Sequence, residues 1–340
     1  MTLIKNNFDP MIEMEQLISD FPNQLKESIG IARAQKIEQF ENIANVVICG
    51  LGGSGIGGEI IRQWLLNSSK IPITVSHRYD LPRFVNSETL VIACSYSGNT
   101  EETLTALAQA IDYKAKIIVI TSGGKISEIA QTNNFPAIII PGGLPPRSAL
   151  AYPLVQLAGI FDRLKLATFD LIPSIEEAVI QLNQSKQTIV AAAREILALR
   201  EDRQFLFYAE DQFAPTLLRA CQQINENGKE LAFYNIIPEM NHNEIVGWAK
   251  EPKFQFVVIF RSNLEHARNS ARLEFIENYI RSKTNALITL QLKGTNLIEQ
   301  TLFGIQLVDW LSFFTAQKKD IDVVEVDVID QLKEVLGKLP

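Results

Sequence analysis

The sequence predicts an α/β fold built from two doubly wound parallel-sheet domains. Three observations carry that prediction. Leu90-Val91-Ile92-Ala93, Lys116-Ile117-Ile118-Val119-Ile120 and Ala137-Ile138-Ile139-Ile140 are apolar runs that fit strands buried on both faces. These runs alternate with helical patterns, as βαβ units do. The same order recurs coarsely in the second half, and a chain of 340 residues has room for two domains.

Taken in order, residues 10–41 read as helical. Asp9-Pro10 is a start signal, and Ile12, Leu17, Ile18, Leu25, Ile29 and Ile37 keep a helical period. Strands are predicted at 45–49, 71–75, 90–94, 116–121 and 136–140, with helices at 55–67, 100–112, 125–133 and 148–164. Leu166 to Pro173 is a polar, proline-ended connection, which sets a first domain at 1–165 and a second at 174–340. The second opens with a long helix at 174–200. Strands at 204–209, 254–261 and 286–293 and helices at 214–227, 264–283 and 298–317 follow, with a short tail helix near 327–338.

Composition narrows the function classes. The chain is 46% hydrophobic and 21% charged, ordinary for a globular protein. No apolar run approaches the length of a membrane span, and Met1 to Asn7 lacks the apolar core of a leader. Cys49, Cys94 and Cys221 are odd in number and widely spaced, which reads as reduced thiols in a cytoplasmic protein, with no disulfide framework and no metal site. A net charge of −7 argues against a nucleic-acid partner, and an anionic ligand needs local donors against that field.

The stretch Gly50-Leu51-Gly52-Gly53-Ser54-Gly55-Ile56-Gly57-Gly58 follows the strand Val46 to Cys49 and opens a helix. Strand, glycine turn and helix N-terminus make a place for an anion. Gly50, Gly52 and Gly55 satisfy G-x-G-x-x-G, but the acidic residue expected about 20 positions on is missing. Arg78, after the next strand, suits a 2′-phosphate, so NADP stays open. A Walker A lysine is absent, because Glu59 follows Gly58. The third reading is a phosphomonoester such as a sugar phosphate. Ser95-Tyr96-Ser97-Gly98-Asn99-Thr100 also follows a buried strand and opens a helix. Ser95, Ser97 and Thr100 can hold a phosphate through neutral donors. Read singly, Ser97 or Thr100 is an N-cap with a glutamate further on.

Gly52-Gly53-Ser54 followed by Ser95-x-Ser97-Gly98-x-Thr100 resembles the sugar isomerase (SIS) domain family, in which the Ser/Thr loop binds the phosphate of a phosphosugar. Pro145-Pro146-Arg147-Ser148-Ala149-Leu150, Asn225-Glu226-Asn227-Gly228-Lys229 and Pro238-Glu239-Met240-Asn241-His242-Asn243-Glu244-Ile245-Val246-Gly247-Trp248 resemble the bifunctional phosphoglucose/phosphomannose isomerases, across both halves of the chain. The resemblance implies two SIS-type domains. It implies glucose 6-phosphate, mannose 6-phosphate and fructose 6-phosphate as substrates, no metal and no other cofactor. It also implies a homodimer whose active sites take a histidine from the neighbouring subunit.

The chemistry agrees with what the resemblance implies of single residues. Interconverting an aldose and a ketose phosphate needs ring opening, for which histidine suits, and His242 matches the family's ring-opening residue. A proton must pass between C2 and C1 through an enediol, and Glu226 matches the family's base. The enediolate needs a cation, and Arg147 matches the family's arginine. Gly53 and Ser54 match residues lining the sugar, and Lys333 falls where the family has a second ring-opening group. Glu239 and Glu244 are rival bases near His242, while His77 and His266 read as surface residues. Glu226 sits at a predicted helix C-terminus before Gly228, where a carboxylate opposes the dipole. Other functions considered are a phosphosugar-binding regulatory module without catalysis, an NADP oxidoreductase and another SIS phosphosugar isomerase. No helix-turn-helix arm accompanies the loops, and the acid, base and cation set exceeds what a sensor needs.

Overall fold

The computed structural model describes residues 10–250 and 252–338, residues 10–12 by their backbone alone. Met1 to Asn7 and Asp9 of the start signal lie outside the described residues.

The single helix expected over 10–41 is two helices, α1 (Pro10–Ser19) and α2 (Phe21–Ala34). Pro22 occupies the first turn of α2, where its missing N–H costs nothing, and Gln35 ends the helix with an extended ψ of 140°. Beyond it Lys36, Glu38, Gln39 and Glu41 interrupt the apolar stripe, so no further helical turn has a face to bury.

The first sheet follows as β1 (Asn45–Cys49), α3 (Gly52–Trp64), β2 (Ile73–Ser76), β3 (Thr89–Ser95), α4 (Glu101–Asp112), β4 (Lys116–Thr121), α5 (Gly124–Thr132) and β5 (Ala137–Ile139). A 3-10 turn, Pro146–Ser148, leads into α6 (Ala151–Arg163). After α7 (Leu171–Arg200) come β6 (Gln204–Glu210), α8 (Ala214–Glu226), β7 (Phe233–Ile237), β8 (Gln255–Arg261), α9 (Ala267–Arg281), β9 (Leu287–Gln291), α10 (Leu297–Lys319) and α11 (Asp327–Leu336). Every strand pairing is parallel. The sheets run β2-β1-β3-β4-β5 and β7-β6-β8-β9, so the second repeats the strand order of the first without its last strand. The doubly wound α/β fold expected from the sequence is the fold of the protein.

The sequence reading lacked β7. Phe233 and Tyr234 are exposed, Asn235 interrupts the apolar run, and Pro238 follows. Those are the marks of an edge strand, and β7 pairs on one side only, with β6.

Alternate strand residues serve different cores. Val46, Ile48, Leu90 and Ile92 of the first sheet share one apolar cluster with Phe205, Phe207, Phe256 and Val258 of the second, through helices α2, α6, α7, α8 and α10. Val47, Val91 and Val119 face α4 and α5, and Tyr208, Val257 and Ile259 face α9. Helix α10 lies at the centre, buried continuously from Ile298 to Ala316. Its sequence is therefore apolar all round, with no single stripe.

In such sheets the chain leaves neighbouring strands in opposite directions at the switch point and opens a crevice. In the first sheet that point lies between β1 and β3, where the glycine and Ser/Thr loops stand. In the second it lies between β6 and β8, and a protein carboxylate occupies it. Buried Glu210 accepts bonds from the backbone N–H of His266 (2.9 Å) and from Asn269 Nδ2 (2.8 Å) at the start of α9. The second crevice thus holds its own anion, which explains why its loop has no glycines.

Candidate active site

The glycine stretch forms the first turn of α3, which begins at Gly52, three residues earlier than expected. Neither Leu51 before α3 nor Thr100 before α4 caps its helix with a side chain. Two helix N-termini with unpaired backbone donors therefore stand side by side above β1 and β3. Ser54 Oγ accepts from the N–H of Tyr96 at 3.1 Å, which ties the two loops together. The Thr100 hydroxyl turns from its own helix to Ser95, 2.9 Å away. Ser97 is exposed, and its Oγ accepts from the N–H of Asn99 at 3.3 Å. Ser54, Ser95, Ser97 and Thr100 are thus brought to one cradle. Gly98 closes its rim in the left-handed region (φ +71°), where a Cβ would stand 1.8 Å from the Gly123 carbonyl oxygen.

Gly53 seats the cradle against the turn that carries Arg147. A Cβ there would stand 2.8 Å from the Pro146 carbonyl oxygen and 3.8 Å from Arg147 Cα, so only glycine lets α3 meet this turn. Arg147 is 6% exposed and reaches across to the end of α8. Its Nη1 lies 3.3 Å from Glu226 Oε2, and its Nε donates to Asn227 Oδ1 at 2.6 Å. Its Nη2 donates to the Val323 and Val324 carbonyls at 2.6 and 3.2 Å. Burial lowers the Arg147 pKa, while the Glu226, Asp322 and Glu325 carboxylates oppose that shift. Lys229 Nζ donates to the Glu226 carbonyl at 2.7 Å, which puts a second cation at the end of α8. The Glu226 carboxylate, 35% exposed, is open to a ligand.

His242 stands apart from this pair, and Lys333 makes no hydrogen bond or ion pair with it among the described residues. Helix α8 descends from the C-terminal edge of the second sheet to its N-terminal edge and ends at Glu226. Strand β7 returns to the C-terminal edge, and a 3-10 turn, Glu239–His242, follows it. Glu226 and His242 thus lie at opposite ends of the second sheet within one chain. The His242 turn is held from beneath. Glu244 accepts from Tyr208 Oη and from Asn235 Nδ2, Trp248 Nε1 donates to Tyr208 Oη, and Glu239 accepts from Asn243 Nδ2. The rival bases Glu239 and Glu244 therefore serve the turn that carries His242. Lys333 is exposed on α11 and pairs with Asp330 of the same helix at 2.8 Å.

His77 is exposed, as the sequence reads it, and its ring also grips the glycine loop. Its Nδ1 lies 2.7 Å from the Gly50 carbonyl oxygen and its Nε2 3.2 Å from Glu59 Oε1. The Glu59 carboxylate raises the His77 pKa, and the bond from His77 lowers that of Glu59. A raised histidine pKa contributes stability that is complete below its unfolded value of 6.5 and is lost as pH rises through the folded value. A lowered glutamate pKa contributes stability present above its unfolded value of 4.5 and lost as pH falls through the folded value. His77→Gln should therefore destabilise more at about pH 5.5 than at about pH 8.5. Denaturant midpoints of wild type and variant at the two pH values check this; an equal gap at both would remove the charge pair from the account.

Known proteins resemble the chain along nearly its whole length. A family profile described as the bacterial phospho-glucose isomerase C-terminal SIS domain matches residues 190–336, and the SIS domain profile matches residues 39–141. A bifunctional phosphoglucose/phosphomannose isomerase of Caldicellulosiruptor bescii is 34% identical over 339 residues, covering 96% of this chain and 99% of its own. A D-glucosamine-6-phosphate 4-epimerase of Sulfolobus acidocaldarius is 35% identical over 234 residues, covering 68% of this chain and 69% of its own. Among solved structures, the C-terminal domain of glucosamine-fructose-6-phosphate aminotransferase from Francisella tularensis shares the fold. Its TM-score is 0.76 at 17% identity, over 91% of this chain and 97% of that one.

Proposed function

The chain belongs to the SIS-domain family of bifunctional phosphoglucose/phosphomannose isomerases, and on that premise we propose that it interconverts glucose 6-phosphate and mannose 6-phosphate with fructose 6-phosphate. One observation carries the reading. Glu226 and Arg147, from opposite halves of the chain, meet at 3.3 Å beside the phosphate cradle. A general base and a fixed cation in contact are what an enediol pathway requires. The phosphate sits at Ser95, Ser97 and Thr100, with the sugar along Gly53 and Ser54. Glu226 takes the proton from C2 and returns it to C1. Arg147 carries the developing enediolate charge, so neither a metal nor another cofactor is needed. Glucose and mannose phosphates differ at C2, and both lead to the same enediol, so one carboxylate serves both epimers.

His242 opens the sugar ring, and Lys333 assists it. The placement of His242 at the far end of the second sheet supports a homodimer in which each site borrows this residue from the other subunit. The two sheets support domains at 1–165 and 174–340. The three buried free thiols suit a reducing compartment, which supports a cytoplasmic enzyme of glycolysis and gluconeogenesis.

Coupled assays on fructose 6-phosphate and on mannose 6-phosphate, run in EDTA, test the proposal. Both activities are expected. Phosphosugar binding without turnover would make the protein a regulatory module, and turnover at C4 alone would move it to the epimerase branch.

A further inference from the structure

The Arg147 guanidinium has five N–H donors, and the described residues occupy four of them. Nε–H goes to Asn227, both Nη2 hydrogens go to the Val323 and Val324 carbonyls, and one Nη1 hydrogen goes to Glu226. The donor that remains is on Nη1, beside the Glu226 carboxylate. Whether that donor faces the reacting carbons depends on how the guanidinium plane is turned about its long axis.

A buried chain of polar groups sets that turn. Asn227 is 0% exposed, and its Nδ2 donates to Ser312 Oγ at 2.9 Å, which leaves Oδ1 towards Arg147. Ser312 Oγ donates to the Asp309 carbonyl at 2.7 Å, so its lone pairs face Asn227. Each group can be satisfied in only one sense, and the direction of every bond is fixed from α10 outward. The Asp309 carboxylate forms a two-point pair with Arg219, at 2.9 and 2.7 Å, and accepts from Gln223 Nε2 at 2.8 Å. Arg219 then donates to the Arg147 carbonyl at 3.0 Å. Backbone and guanidinium of Arg147 are therefore held by one network rooted on α8 and α10. Apolar side chains of similar size would fill this volume without the cost of burying an amide, a hydroxyl and an ion pair.

We propose that Asn227 is a positioning residue of the isomerase: through its bond to Nε, and with Ser312 fixing the sense of its amide, it aims the free Nη1 donor of Arg147 at the enediolate next to Glu226. The inference rests on the isomerase reading above. It identifies a residue that touches no substrate and acts through Arg147.

Steady-state kinetics of Asn227→Ala test it. Turnover should fall by about 10²-fold, the effect of displacing a charge-stabilising group by an ångström, with KM little changed. In an Arg147→Ala background the same change should cost nothing further, because its effect passes through the guanidinium. Asn227→Asp, which keeps an acceptor for Nε, should recover most of the loss. Where Asn227→Ala does not fold, Ser312→Ala leaves the asparagine in place, frees its amide to turn over, and should lower turnover in the same direction. Full turnover in these variants, or an equal loss in the Arg147→Ala background, would overturn the assignment of Asn227 alone. A wild type without isomerase activity would overturn the functional reading as well.

Discussion

Glu226→Gln is expected to abolish nearly all isomerisation of glucose and mannose phosphates together, by about 10²–10⁴-fold in turnover. The substitution is isosteric, and the amide oxygen can still accept from Arg147 Nη1, so the contact between the two halves survives. The cradle of Ser54, Ser95, Ser97 and Thr100 lies on the other sheet and makes no bond to this side chain among the described residues. KM for both substrates should therefore change little, which separates loss of proton transfer from loss of binding. Parallel loss of both activities is the discriminating result. Epimers present their C2 hydrogens on opposite faces, and a single base can reach both only if the substrate rotates before it. A variant that lost one activity and kept the other would show that a second carboxylate serves one epimer, and the single-base mechanism would fall.

Mixed dimers should restore what two inactive variants lack. Helix α8 has 13 residues, and at 1.5 Å per residue it carries the chain about 20 Å from one sheet edge to the other. His242 lies back at the edge from which α8 departs, beyond reach of Glu226 in the same chain. It is exposed, and its ring makes no hydrogen bond among the described residues. Glu226→Gln and His242→Ala should each be nearly inactive as pure preparations. In the proposed homodimer, subunit exchange makes half of the assemblies mixed, and each mixed one holds one intact Glu226–His242 site. Activity should return to about a quarter of the wild-type value, as two-fold symmetry dictates. No recovery, with exchange verified by a mass-tagged subunit, would place ring opening within one chain or on another group.

Much of the molecule was legible in the chain. Buried parallel strands announce themselves as continuous apolar runs, because both faces of β1, β3 and β4 are covered. The two loops that open α3 and α4 were visible because a close backbone approach demands glycine and a helix start demands small polar groups, and both are local requirements. The residue types needed for isomerisation were nameable one by one, with Glu226 marked by its unfavourable place at the end of a helix. Strand β7 escaped because an edge strand covered on one side has no apolar run to show. The contacts of His77 escaped because its partners, Gly50 and Glu59, belong to other elements.

Tertiary structure alone decided the contacts between distant segments. Arg147 meets Glu226 and Asn227 across some eighty positions of sequence, and the Asp309 pair that steadies it comes from the centre of α10. No periodicity or spacing encodes such a contact; it exists because one shared core clamps both sheets to the same helices. The sequence by itself determined which elements form and which chemical groups they carry, because propensity, burial pattern and capping act within a few residues. Which of those groups face one another, and that His242 and Glu226 do not meet in one chain, followed only from how the helices pack.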